Sequence, residues 1–209
     1  PLPDTLIACL GQEPDTLFMY GGSMAASLNV QEAFYDAPDQ GYDTNTFGYE
    51  SVIFEKLPSL ADGDAVITAV TAAEGDSVVD DTGAVIALDA AADPPQMIRP
   101  AGCASSDCAI AYEGGEVEMD QMVVTFVLID GILWDDGTPL TTADQVYAFE
   151  LQSDPDIPNA DTYTIARTAS FEGVDDLTSV WTGLPGYKDS TYFTNSFGPA
   201  PKHLWGDYT

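Results

Sequence analysis

Basic residues are the scarcest class in this sequence. Its 209 residues include five Lys or Arg and one His against 35 Asp or Glu, which gives a formal net charge of −30. Such a chain repels polyanions, and phosphate binding needs Lys and Arg side chains, so we expect no nucleic acid partner. An acidic, Lys-poor surface also suits a salty environment where ions screen the repulsion, so we hypothesise a halophilic source.

Long apolar runs are also missing. No stretch of 18 or more apolar residues occurs, so the sequence predicts no membrane-spanning helix. The opening residues PLPDTL lack the basic and apolar regions of a signal peptide, which leaves a cytosolic chain and a removed leader as alternatives. Because 45% of the residues are hydrophobic, the chain can still bury a core as one large or two small domains.

Cysteine is rare, with three residues. Cys103 and Cys108 lie five positions apart in GCASSDCA, where a local disulfide, two free thiols and a metal site are all possible; we favour the disulfide. A disulfide would indicate an oxidising, extracytoplasmic compartment. Cys9, in the apolar run TLIACL, is predicted to pack as a small buried thiol.

The motifs of common enzyme classes are absent. The sequence contains no G-x-S-x-G, no phosphate-binding loop and no metal-binding helix motif. A nucleophile–histidine system would have to use His203, and 35 acids make chance carboxylate pairs certain. We therefore expect a protein that is not an enzyme and that needs no cofactor.

The periodicity predicts a mixed α/β domain with more strand than helix. Strands are predicted at 5–10, 65–72, 77–80, 83–90, 122–130, 162–174 and 177–184. Helices are predicted at 23–36 and 142–153. The proline-bearing segment 92–109 is predicted to be irregular, and the tail from Gly186 is predicted to be mostly irregular or to contain a short helix.

The most structured stretch runs from Val124 to Glu150. It begins as a strand with apolar residues on both faces and continues through the turn WDDGTP. Thr141 is predicted to cap the next helix, with Asp144 at its third position. Asp135 and Asp136 are predicted to fix the turn and not to contact a ligand.

This stretch resembles the signature of the family 5 extracellular solute-binding proteins, the peptide/nickel-type receptors of ABC importers. In that family a strand x-T-F-x-L-R-x-G-V-x-W-S-D-G-x-P leads to L-T-A-x-D-V-V-Y-S-F. The matching residues are Thr125, Phe126, Leu128, Gly131, Trp134, Asp136, Gly137, Pro139, Leu140, Thr141, Asp144, Val146, Tyr147 and Phe149. Ile129 and Leu133 replace basic residues of the family pattern. CLGQEPDTLFMYG and YFTNSFGPAPKHLWG extend the resemblance to nearly the whole chain.

The resemblance implies a periplasmic-binding-protein type II-like α/β lobe with a mixed sheet and flanking helices. Residues 1–209 would form most of the N-terminal lobe, with the second lobe absent. It also implies a monomeric, extracytoplasmic receptor, periplasmic or at the cell surface and lipid-anchored in its full precursor. This receptor would capture peptides or another small solute between two lobes and deliver them to a membrane permease.

A peptide cleft needs polar groups for an extended chain, aromatic walls and charges for the termini. Under this resemblance the candidate ligand-binding residues are Glu13, Phe18, Tyr20, Gly21, Ser23, Phe193, Asn195 and Phe197. The competing interpretation is core packing for the aromatic residues and a solvated loop acid for Glu13.

A calcium-stabilised extracellular interaction domain is the alternative function. The segment DPDIPNAD offers Asp154, Asp156, Asn159 and Asp161 as oxygen ligands. It lacks the central glycine and the distal glutamate of an EF-hand loop.

Overall fold

The computed structural model describes residues 7, 9–31, 33, 42–43, 48–158 and 162–206. Helices in this part of the chain are α1 Ala25–Gln31, α2 Thr142–Ser153, α3 Thr162–Arg167 and α4 Lys202–Trp205. The strands are β1 Tyr42–Asp43, β2 Glu50–Ser51, β3 Ala65–Ala72, β4 Ser77–Val79, β5 Val85–Ala87, β6 Met97–Ile98, β7 Ile110–Ala111, β8 Val117–Val127, β9 Thr168–Gly173 and β10 Thr178–Gly183. None of the described helices is long and apolar enough to cross a membrane.

The principal sheet has four antiparallel strands in the order β3-β8-β10-β9. Strand β8 is its longest member and pairs with β3 along one side and β10 along the other. Strands β1 and β2, β4 and β5, and β6 and β7 form separate two-stranded ribbons. Helix α2 packs against β9, which places it over the end of the sheet opposite β3.

Two hydrophobic cores lie on opposite faces of β8. Met122, Val124 and Phe126 enter the first core, which also contains Trp181 and Tyr147. Met119 enters the second core, with Val78, Leu88, Ile98 and Tyr112. Because successive side chains of a strand point to opposite faces, Met119 and Met122 must face opposite ways. From Val124 onward only one face of the chain is fully buried, by Val124, Phe126 and Leu128. On the other face Thr125 and Val127 are half-buried and Ile129 is 40% exposed, so the cover predicted for both faces of this stretch is only partial.

Several sequence-based predictions are confirmed by the observed elements. Strand β3 and helix α2 have the predicted bounds of 65–72 and 142–153. Strands β4, β5 and β10 lie within the predicted ranges, while β8 begins five residues before the predicted 122. Helix α1 covers 25–31 of the predicted 23–36; Glu32 and residues 34–36 lie outside the described residues.

The predicted strand over 162–174 is wrong in its first half, because residues 162–167 form helix α3. Contacts one helical turn apart explain the difference. The Arg167 guanidinium lies 3.6 Å from the centroid of the Tyr163 ring, and Thr168 Oγ1 donates to the Thr164 carbonyl at 2.9 Å. Since residues i and i+4 are neighbours on a helix but not along a strand, these pairs favour the helical turn.

The predicted buried strand at 5–10 is not observed either. Residues 7, 9 and 10 are not in a strand, and 5, 6 and 8 lie outside the described residues. Ile7 is 84% exposed and Cys9 is an exposed free thiol, so the prediction of a buried Cys9 is wrong. An apolar run is buried only where a second element covers it, and a pattern within six residues does not specify that element.

Gly186 is required where the chain that follows β10 meets the end of β4. Its φ is +85°, and a Cβ at this position would clash with the Val79 carbonyl oxygen. We expect Gly186→Ala to lower the free energy of unfolding by about 3 kcal/mol or more, because backbone strain adds to a clash with backbone. Chemical denaturation measures the change.

Gly63→Ala is the matched control. Gly63 also has a φ of +85°, but nothing lies within 4 Å of the Cβ position. We expect this variant to lose about 1 kcal/mol from backbone strain alone. Equal losses in the two variants would contradict the close packing of Gly186 against Val79.

Candidate functional site

The WDDGTP turn of the signature stretch is closed by its own hydrogen bonds. Asp136 Oδ1 accepts from the Thr138 backbone N–H at 2.8 Å, and the Trp134 N–H donates to the Thr138 carbonyl at 2.8 Å. Gly137 occupies the left-handed region with φ +88°. Asp136 thus fixes the turn, while Asp135 lies exposed beside it.

Asp144 connects this turn to the tail of the chain. Its carboxylate accepts from the Thr141 N–H at 3.0 Å, from Trp134 Nε1 at 3.4 Å and from the Lys202 N–H at 3.1 Å. The Ala200 N–H donates to the Asp144 backbone carbonyl at 3.1 Å. Asp144 is 5% exposed, so these bonds are shielded from water. The bond from the Thr141 N–H to the Asp144 carboxylate confirms the predicted role of Asp144 at the start of helix α2. Asp144 also holds residues 200–202 through its bonds to Ala200 and Lys202.

His203 makes a second connection between the turn and α4. Its Nε2 lies 2.9 Å from Asp136 Oδ2, and its ring centroid is 6.0 Å from that of Trp134. Hydrogen bonds from the Thr138 backbone and side chain hold the pKa of Asp136 below its ordinary value, and His203 adds to the effect. The carboxylate is therefore ionised opposite His203 at neutral pH.

The loop before α1 meets α4 through aromatic rings. The Phe18 ring centroid lies 5.5 Å from that of Trp205 and 5.6 Å from that of Tyr20. The Phe18 carbonyl accepts from the Gly21 N–H at 2.9 Å and from Gln31 Nε2 at 3.2 Å. We call Phe18, Tyr20 and Trp205 the aromatic surface. It joins residues from near the two ends of the sequence.

The aromatic surface is partly open to solvent. Phe18 is 38% exposed, and Trp205 is half-buried, while Tyr20 is buried beneath them. Glu13 and Ser23, on the same loop, are exposed. Gly21 is half-buried, and a Cβ there would lie 2.9 Å from the Thr16 side chain, so the tight loop excludes a larger residue unless Thr16 moves.

The second predicted set divides between surface and core. Phe193 is half-buried and packs against Tyr49 at 5.1 Å and Tyr192 at 5.6 Å between ring centroids. Phe197 is 3% exposed and packs against Phe149 and Phe171 at 4.9 and 5.0 Å. Its side chain therefore belongs to the first core, which is the alternative noted from the sequence.

Asn195 is the polar member of the second set. It is 4% exposed, and its Nδ2 has no hydrogen-bond partner within the described structure. The structure brings Phe18, Tyr20 and Gly21 together with the tail at Trp205, whereas the rings that contact Phe193 are those of Tyr49 and Tyr192.

Trp205 is the member of the site that the sequence reasoning did not select. It follows the Pro-Lys-His-Leu pattern of the tail, and that pattern was its available signal. Asp144 was recognised as a helix-capping residue, but its contacts with residues 200–202 were not foreseen. Both omissions concern contacts between segments that are distant in sequence.

Cys103 and Cys108 form a disulfide with an S–S distance of 2.09 Å. An ion pair supports the loop that contains it: Lys188 Nζ donates to the Cys103 carbonyl at 2.9 Å and to Asp120 Oδ2 at 2.8 Å. Burial opposes ionisation of Asp120, but hydrogen bonds from Lys188 and from the Gly102 N–H outweigh it and lower the pKa of Asp120.

Two of the residues considered as calcium ligands, Asp154 and Asp156, lie in one local turn. The Asp156 N–H donates to Asp154 Oδ1 at 2.9 Å. Asn159 and Asp161 lie outside the described residues. Elsewhere in the described ranges, no group of three or more His, Cys, Asp or Glu side chains could hold a metal ion.

A small pocket lies at the β3 end of the sheet. It is lined by Glu55, Lys56, Pro58, Asp64, Thr125 and Val127. Its volume of about 20 Å³ holds about one water molecule, which is too little for a peptide.

The chain is similar in sequence and in fold to known solute-binding proteins. Residues 105–205 match a family described as "Bacterial extracellular solute-binding proteins, family 5 Middle". The oligopeptide binding protein from Thermus thermophilus, solved with a pentapeptide, is 15% identical with a TM-score of 0.55. That alignment covers 92% of this chain and 24% of the other.

A second solved structure is AppA from Bacillus subtilis in complex with a nonapeptide. It is 15% identical with a TM-score of 0.42, over 91% of this chain and 26% of that one. The chain thus spans about a quarter of the length of these structures. No curated protein matches it. The mixed α/β architecture and the likeness to the Thermus protein confirm the predicted fold class.

Proposed function

We propose that this chain, which belongs to the bacterial extracellular solute-binding proteins of family 5, is the peptide-capturing component of an ABC importer. It acts outside the cytoplasm and passes peptides to a membrane permease. In this proposal the chain supplies one wall of a cleft, and the facing wall comes from a second lobe. The role is binding and transport, with no chemical step.

The observation that carries the proposal is the contact between Phe18 and Trp205, at 5.5 Å between ring centroids. It joins the loop and the tail that the family resemblance had marked independently, and it makes a half-open apolar wall. Aromatic walls suit an extended peptide, since they contact side chains of many sequences. Exposed Glu13 and Ser23 supply polar groups on the same loop.

The test is peptide binding by the whole receptor that contains this chain, measured by isothermal titration calorimetry in high salt. We expect Phe18→Ala and Trp205→Ala each to weaken binding about tenfold or more, because each removes an aromatic wall of the kind that dominates binding energy. The probe is a random pentapeptide library, followed by the best-bound member.

Val174→Ala is the control variant. Val174 is 67% exposed at the β9–β10 turn, and it lies outside the aromatic surface. We expect its affinity to equal that of the unmodified protein. Unchanged binding in both aromatic variants would refute this surface as the peptide wall, and the absence of any peptide binding by the whole receptor would refute the function.

A further inference from the structure

Strand β3 lies at the edge of the principal sheet, and its outer side faces solvent. It pairs with β8 along one side, and no other strand in the described part of the chain pairs with it. Val66 and Ile67 are 42% and 41% exposed, and Thr68 and Ala69 are exposed as well. Because successive side chains point to opposite faces, the middle of β3 is open on both faces of the sheet.

The hydrogen-bond pattern identifies the backbone groups of β3 that point away from β8. The Thr125 N–H donates to the Asp64 carbonyl at 2.8 Å, so these two residues form a bonded pair of the antiparallel ladder. Bonded and non-bonded pairs alternate along such a ladder. The even-numbered residues of β3 therefore bond to β8, and the N–H and C=O groups of Ile67, Ala69 and Thr71 point outward. We call these outward groups the open edge.

Both ends of the open edge are closed by local hydrogen bonds. At one end the Ala65 N–H donates to the Ser59 carbonyl at 3.2 Å. At the other end the Ala73 N–H donates to Asp76 Oδ2 at 2.8 Å. Within the described ranges, no hydrogen bond uses the N–H or C=O groups of the open edge itself. The open edge is thus a bounded segment with the length of one short strand.

The sequence of β3 carries none of the features that keep an exposed edge from pairing. Edge strands are usually protected by a charged residue, a proline or a β-bulge. Ala65–Ala72 reads AVITAVTA, with no charge and no proline, and its register with β8 is continuous over all eight residues. In a chain with 35 acidic residues, this uncharged strand is suited to receive another strand.

Acidic residues lie at both ends of the open edge. Asp62 and Asp64 precede β3, and Lys56 Nζ lies 3.2 and 2.8 Å from their carboxylates, so one negative charge remains there. Glu74 follows the strand and is exposed, as is Glu118 on the neighbouring strand β8. A strand added to this edge would meet uncharged residues along its middle and negative charge near its ends.

We propose that β3 binds an extended segment of a partner protein, with basic residues at its ends and uncharged residues between them, as a fifth strand of the sheet. In strand addition, main-chain hydrogen bonds supply affinity and side chains supply selectivity. The net charge of −30 attracts a cationic segment and repels a second copy of this chain. The site is independent of the proposed transport function, because it lies on β3 and not on the aromatic surface.

The test titrates the chain with the probe acetyl-Lys-Val-Thr-Val-Thr-Val-Lys-amide and follows the backbone amides by ¹H–¹⁵N NMR. It is made at roughly 0.3 M NaCl, where direct ion pairs are only partly screened, and below the melting temperature. We expect the signals of Ile67, Ala69 and Thr71 to move saturably with one Kd. Hydrogen exchange of these three amides should slow, whereas that of Thr68, which bonds to β8, should stay unchanged.

The charge of the probe tests the acidic ends. The same peptide with Glu in place of both Lys residues should bind about tenfold more weakly, because two attractions become repulsions. A Lys-ended probe that is N-methylated at its three central residues should not bind measurably, since it cannot donate to the open edge. This second comparison tests strand addition without any change to the protein.

Ala69→Pro removes one outward N–H and leaves the bonds to β8 in place. Proline is tolerated on an edge strand where its nitrogen faces solvent. We expect this variant to bind the Lys-ended probe about tenfold more weakly or worse, since a donor is lost and the ring obstructs the added strand. Ala69→Val keeps the N–H, so it is the matched control and should bind like the unmodified chain. Melting temperatures identify any variant that has unfolded.

The proposal is overturned if the three amides show no saturable movement. Equal Kd values for the Lys-ended and Glu-ended probes, or for Ala69→Pro and Ala69→Val, would also contradict it. Protection of the same amides without probe, rising with protein concentration, would assign the edge to a second copy instead. Peptide binding by the whole receptor at the aromatic surface is a separate measurement, so either proposal can fail without the other.

Discussion

In dilute buffer we expect this protein to be far less stable than in molar salt. Its melting temperature should rise by about 10–20 °C between about 0.1 and 2 M NaCl, which corresponds to about 5 kcal/mol for a domain of this size. The cause is mutual repulsion among 35 acidic residues that five lysines and arginines cannot neutralise. The described structure contains four ion pairs, and one of them depends on His203 being protonated.

Screening can be separated from other effects of salt. The Debye length falls from about 10 Å at 0.1 M to about 3 Å at 1 M, so most of the stabilisation should appear below about 1 M. Glycerol at the same osmolality favours the compact state without screening and should give a smaller rise. A melting temperature that is equal in dilute buffer and in molar salt would contradict both the repulsion argument and the halophilic hypothesis.

A charge-reduced variant tests the same cause from the protein side. Glu113, Glu116 and Asp135 are exposed, so their carboxylates contribute to the surface charge. Replacing the three with their amides should raise the melting temperature at low salt and leave it nearly unchanged at high salt. A gain of equal size at both salt concentrations would indicate an effect other than relief of repulsion.

Asp144→Ala should produce a large loss of stability, because Asp144 is buried and accepts three hydrogen bonds. The change leaves three donors without their acceptor: the backbone N–H groups of Thr141 and Lys202, and Trp134 Nε1. An unsatisfied buried donor costs about 1–3 kcal/mol, and partial relaxation brings the expected total to about 3–5 kcal/mol. The melting temperature should fall by about 6–20 °C in high salt.

The tail should respond most strongly, because Asp144 holds residues 200–202. We expect the tryptophan emission of the folded variant to shift to longer wavelength as Trp134 and Trp205 gain access to water.

Asp144→Asn keeps one oxygen acceptor and should lose about half as much stability. Asp135→Ala is the control on the adjacent turn, since Asp135 is exposed, and it should change stability by less than about 0.5 kcal/mol. A loss in Asp144→Ala no larger than in Asp135→Ala would contradict the anchoring role.

The segment from β8 to α2 is the part of the structure that was best predicted from the sequence. The bounds of α2, the turn at Gly137 and the capping role of Asp144 follow from residues close to one another in the chain. A helix period, a positive φ and an N-terminal capping residue are local features, and local features are visible in a single sequence.

The predictions that failed concern the segments at 162–167, at Cys9 and at Phe193 and Phe197. Residues 162–167 read as strand, but the Arg167–Tyr163 stacking and the Thr168–Thr164 hydrogen bond favour a helical turn. Cys9 read as buried, but the described residues around it belong to no strand. Phe193 and Phe197 read as equivalent aromatic residues, while the structure puts one at the surface and the other in the first core.

The sequence by itself determined the mixed α/β class, the charge that dominates the surface, and the signature stretch that resembles the family 5 solute-binding proteins. Only the tertiary structure decided that β8 separates two cores, that Phe18 meets Trp205, and that Asp144 holds the tail. The physical reason is the separation in sequence of the residues that contact one another. Secondary structure depends on neighbours a few residues away, whereas these contacts join segments that are distant in the sequence and form only when all the packed elements come together.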